Sequence, residues 1–168
     1  MPYLVLAWLH AVAGIIWVGG MVFVGAILVP LAQPLPPRDR AALLGRVGVR
    51  FSLVAWVCIG ILLVTGPWLL LSRGRLELLV HPSALIGVAV GQVLLAKLGL
   101  IFFMVLLSLI HDFWLGPKLV GALAGGENAG FDDSARLVFL RRGVAWLARL
   151  NVALGVLVVA LGVTLGRM

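Results

Sequence analysis

Residues 88–110 read VAVGQVLLAKLGLIFFMVLLSLI, an apolar run interrupted by one cation, Lys97. About 20 apolar residues suffice to cross roughly 30 Å of hydrocarbon as a helix. A charge held in such a segment costs a few kcal/mol and usually faces a partner, a cavity or a ligand. At helical spacing Lys97, Met104, Ser108 and His111 share one stripe. Towards the N-terminus, His10, Gly14, Trp17 and Met21 form a second stripe on another apolar segment. Two apolar helices that each gather polar and soft side chains on one face imply a site inside a helix bundle.

Working outward, apolar stretches at about 3–29, 51–71, 84–110 and 143–166 are each long enough to span a bilayer. With 63% hydrophobic and 11% charged residues, the expected architecture is an all-α bundle of four transmembrane helices, one domain over residues 1–168. The composition leaves no room for a soluble catalytic domain. The N-terminus lacks a basic region ahead of its apolar run, so no cleavable signal is expected. Cys58 is the one cysteine, which excludes an internal disulfide and a multi-cysteine metal site.

The net charge of +7 follows topology and calls for no nucleic-acid partner. Arg38, Arg40, Arg46 and Arg50 precede the second span, and Lys118, Arg136, Arg141 and Arg142 lie between the third and fourth. The opposite side carries Arg73, Arg75 and Arg167. The positive-inside rule then places loops one and three in the cytoplasm and both termini outside, in a prokaryotic-type inner membrane.

Prolines punctuate the connections. PLAQPLPPRDR ends the first helix, and Asp39 is the expected N-cap of the second. Pro67 should kink the second helix, and Pro82 should open a third helix running unbroken to about Leu115. Asp132 or Asp133 is expected to cap the fourth.

His10 and Lys97 fall within about 5–10 Å of one another in depth, given a rise of 1.5 Å per residue. His111 lies near the other face, so one haem cannot be held between His10 and His111. A neutral imidazole in a membrane can ligate haem iron or copper, or simply bond a neighbouring helix. Lys97 can meet a haem propionate, ligate weakly when deprotonated, or snorkel. Trp17 can wall a porphyrin pocket or pack in the core. Met21 and Met104 offer thioethers to Cu(I) or fill the core. His81 sits at the outer mouth, where it can serve simply as a capping residue. Arg50, Asp112 and Arg149 fall at comparable depth and are expected to form a structural ionic cluster, with Asn151 one turn inside making an interhelical hydrogen bond.

WLHAVAGIIWVGGMVF (8–23), RFSLVAWVCIGILLVTG (50–66), AKLGLIFFMVLLSLIHDFW (96–114) and ARLNVALGVLVVALG (148–162) resemble, in that order, the membrane proteins of the copper-resistance D family. The order is also similar to that of the related HemJ-type protoporphyrinogen oxidases. The HemJ resemblance implies haem b with His10, Trp17 and Lys97 at its site. The copper-resistance D resemblance implies copper uptake, although the methionine-rich periplasmic segments expected of an importer are not present in this sequence.

The leading expectation is therefore a b-type haem protein in electron transfer or porphyrinogen oxidation, with His10 as axial ligand, Gly14 and Trp17 beside it, and Lys97 as propionate partner. A quinone or another membrane redox protein would accept electrons. The alternative is copper handling, with entry at His10 and His81, passage by Met21 and Met104, and exit at His111. A third reading is a non-catalytic accessory subunit, alone or as a homo-oligomer, whose polar stripes hold helices together in the lipid bilayer.

Overall fold

The computed structural model describes residues 2–75, 80–124 and 131–168. Its elements are α1 (Pro2–Phe23), a π-helical turn (Val24–Leu28), α2 (Val29–Ala32), α3 (Pro37–Ser72), α4 (Pro82–Gly87), α5 (Ala89–Ile110), a second π-helical turn (His111–Leu115), α6 (Gly116–Ala124) and α7 (Phe131–Arg167). Four stretches are long and apolar enough to span a membrane: Tyr3–Ala32, Pro37–Ser72, Ala89–Gly121 and Val138–Arg167. The chain is a multi-pass helical membrane protein, and the described residues contain no strand.

Proline explains both wide turns. Pro30 and Pro117 each follow a π turn by two residues. A proline within a helix supplies no N–H and clashes with the carbonyl four residues back. Widening the preceding turn moves that carbonyl away, so Val29 N–H bonds Val24 O and Gly116 N–H bonds His111 O instead. Pro67 is absorbed without a break in α3.

Three expectations about helix ends are corrected. Asp39 is not the cap of α3: Pro36 takes that position and Pro37 opens the helix, leaving Asp39 in the first turn. His81 precedes α4 but makes no capping hydrogen bond through its side chain. The third helix is also broken, because Val88 adopts an extended conformation (φ −124°, ψ 145°) between α4 and α5. Gln92 Nε2 donates to Ile86 O at 2.9 Å, satisfying a carbonyl near that break. The side chains of Asp132 and Asp133 lie outside the described residues.

α1 packs chiefly on α3, and α5 chiefly on α7; α1 also meets α7, and α6 with the second π turn meets α3. Both chain ends share one end of the bundle with the C-terminus of α3. There Arg73 donates to Tyr3 Oη through Nε (3.0 Å) and Nη2 (2.7 Å), and Arg75 Nη2 donates to Met168 O at 2.9 Å. Ala13, Trp17, Ala55, Cys58, Ile59 and Met104 form the buried middle. Large apolar side chains elsewhere, such as Trp8, Val64 and Phe139, are exposed on the outer surface, as lipid-facing positions should be.

Candidate functional site

The α5 stripe read from sequence faces α7, and α7 answers it at matching steps. Ser108 meets Asn151, Met104 meets Gly155, and Lys97 meets Gly162. Asn151 Nδ2 donates to Ser108 Oγ at 2.9 Å, the expected interhelical bond. A Cβ placed on Gly155 would lie 3.3 Å from Met104 Cε, and one on Gly162 would lie 3.4 Å from Lys97 Nζ. Lys97 therefore reaches the α5–α7 interface beside Gly162.

At the end that carries the chain termini, His10 Nδ1 lies 2.8 Å from Thr65 Oγ1. The threonine hydroxyl has a single proton and donates it to Ile61 O at 2.7 Å. Its oxygen must then accept from His10 Nδ1–H. A neutral His10 is thereby fixed with its lone pair on Nε2, the atom a metal would take. Thr65 is buried, and a Cβ placed on Gly66 would make an ordinary contact with His10 Cε1 at 3.5 Å. Beside His10, a Cβ on Gly14 would meet nothing within 4 Å.

At the opposite end, the second π turn holds His111 and Asp112. Ser52 Oγ donates to Asp112 Oδ2 at 2.6 Å, and His111 Nδ1 is 2.9 Å from Asp112 Oδ1. Trp56, one turn beyond Ser52, brings its indole beside Asp112, with its buried N–H short of a hydrogen bond. The expected Arg50–Asp112–Arg149 cluster does not form. Both arginines are exposed, Arg149 lies over the Trp146 ring at 5.6 Å, and the ring nitrogen found at Asp112 among the described residues is that of His111. A small hydroxyl and an adjacent imidazole satisfy the carboxylate at less desolvation cost than two buried guanidinium groups would.

The remaining candidates sit differently from expectation. Trp17 is 3% exposed and packed in the core. Met104 is fully buried, Met21 packs against the same core, and Cys58 is a further member of it. Sequence reasoning missed Thr65, Ser52 and the place of Cys58 in the same core as the two thioethers. Thr65 lies two residues before the expected kink at Pro67 and carries no signal of its own, and Ser52 carries none beyond its place near Arg50. Among the described residues no three His, Cys, Asp or Glu side chains converge as a metal cluster.

Lys97 has no carboxylate within ion-pair distance among the described residues. Lys97→Met should therefore leave the metal-free protein as stable as wild type or raise its melting temperature. The relevant scale is about 2.5–3.5 kcal/mol for a lysine at a helix centre in lipid. A lowered melting temperature would instead reveal a stabilising partner for the ammonium.

The arrangement defines a class: a four-span helical membrane protein with a hydrogen-bonded histidine towards each end and sulfur side chains in its core. Residues 45–165 match the family described as copper resistance protein D. The chain belongs to that family. It is also 31% identical over 156 residues to an uncharacterized protein of Aquifex aeolicus (strain VF5), covering 92% of this chain and 89% of that one. No solved structure matches it.

Proposed function

We propose that this protein handles copper within the cytoplasmic membrane, capturing the ion at His10 and delivering it towards His111. Family membership supplies the metal. The observation that carries the reading is the hydrogen-bond chain His10–Thr65–Ile61, which leaves the His10 Nε2 lone pair free. Met21, Met104 and Cys58 provide soft ligands at mid-depth, suited to Cu(I). With Met104 fully buried and Trp17 nearly so, the middle is plugged, and passage requires these side chains to move. By the positive-inside rule the His10 end faces outward. Helix glue alone accounts for Asn151–Ser108, but not for an imidazole aligned with an unused ring nitrogen.

The haem reading keeps His10 and the nearby Lys97. A porphyrin would need the packed side chains of Ala13, Trp17, Cys58 and Met104 to open a much larger space than a single ion does. Two surface concavities are lined by Gly45–Arg50 residues and by Trp146–Ala153 residues, none of them His10 or Lys97. One purification separates the readings. Detergent-purified protein should be colourless and bind Cu(I) stoichiometrically, and proteoliposomes should take up copper. A b-type pyridine haemochrome spectrum with no Cu(I) binding would overturn the copper proposal.

A further inference from the structure

We infer that Asp112, anchored by Ser52, positions His111 as the inner-end acceptor for a soft cation, a role that rests on the copper reading above. Ser52 reaches from α3 to fix one carboxylate oxygen at 2.6 Å, and the other faces His111 Nδ1 at 2.9 Å. An ionised Asp112 only accepts, so a neutral imidazole donates to it through Nδ1–H and Nε2 carries the lone pair. Carboxylates behind ligating histidines hold the ring and its tautomer in this way, and their loss weakens metal binding about 10–100-fold. The His111 side chain is 37% exposed against 19% for Asp112, so the ring is open to an arriving ion while its anchor is shielded. Among the described residues Nε2 has no partner. The π turn contributes by placing both residues where the helix wall is widened. His10 at the far end shows the same device, with a threonine in place of the carboxylate. The two ends differ in the anchor behind the ring, an anion at His111 and a neutral hydroxyl at His10.

The test is ¹⁵N-histidine NMR on the full-length protein in detergent, well above the ordinary imidazole pKa of about 6.5. Wild type and Asp112→Asn are compared, before and after adding Ag(I) as a redox-inert stand-in for Cu(I). The His111 resonances should show the Nδ1–H tautomer in wild type, and Ag(I) should shift Nε2. Asp112→Asn should mix the tautomers and weaken Ag(I) at His111 about tenfold or more, with His10 unchanged. Ser52→Ala gives a milder version that keeps the charge, so a folding defect in Asp112→Asn does not hide the result. An Nε2–H tautomer in wild type, or identical tautomers in both variants, overturns the positioning role whatever the cation does. The expected tautomers with Ag(I) binding at His10 but not at His111 overturn the acceptor role and leave the copper reading standing. No Ag(I) or Cu(I) at either histidine fails the copper reading itself.

Discussion

His10→Ala should weaken Cu(I) binding by roughly 100-fold or more. The estimate starts from partners behind a metal-bound histidine, which alone are worth about 10–100-fold. Removing the ligand must cost at least as much as loosening it. Thr65→Val tests the same geometry from behind: it deletes the oxygen that accepts His10 Nδ1–H but keeps the shape. Affinity should fall about tenfold, and the half-buried ring, left with an unpaired N–H, should cost about 1–3 kcal/mol of stability. Competition with a Cu(I) chelator measures the first effect, and thermal melts of metal-free protein measure the second. If both variants bind Cu(I) like wild type, the entry ligand is elsewhere.

The four spans were legible because hydropathy over 20 or more residues is a strong, additive signal, and the α5 stripe was legible because its polar residues are rare in an apolar run. Pairing was not. Ser52 and Thr65 are ordinary hydroxyl residues, and what gives them meaning is the neighbour each meets 60 and 55 residues away. Their partners Asp112 and His10 stood out as expensive groups in lipid, which flags a need for a partner but not its identity. The arginine cluster failed for that reason: equal depth does not fix direction around the helix, and Arg50 and Arg149 point outward. Trp17 shows the same limit, since an aromatic beside a candidate ligand reads the same in sequence whether it walls a pocket or fills a core. The break at Val88 lies in an unremarkable apolar stretch, where no proline announces it.

Gly155→Leu should destabilise the bundle more than any other single substitution on α7. In a bilayer the lipid tails are as apolar as the core, so helices associate through close packing and hydrogen bonds rather than by escaping water. Gly155 is where that packing is tightest across three helices. A Cβ there would sit 3.1 Å from both Cγ atoms of Val18 on α1 and 3.3 Å from Met104 Cε on α5. Unstrained carbon contacts lie at about 3.5–4.0 Å, so even alanine requires small side-chain adjustments. Val18 has little rotamer freedom on a helix, whereas the unbranched Met104 can yield. Gly155→Ala should therefore be mild. Gly155→Leu adds three further carbons to a filled space and should cost at least the usual 1–3 kcal/mol or so of overpacking. It should also displace Met104, so Cu(I) release at mid-depth should change along with stability. Gly14→Ala is the control, because a Cβ there meets nothing within 4 Å. That variant should melt at or slightly above wild type, gaining up to about 1 kcal/mol from helix propensity. Equal melting temperatures for Gly155→Leu and Gly14→Ala would mean that α7 does not close on α1 and α5 at this point, and the seam joining Lys97, Met104 and Ser108 to α7 would have to be redrawn.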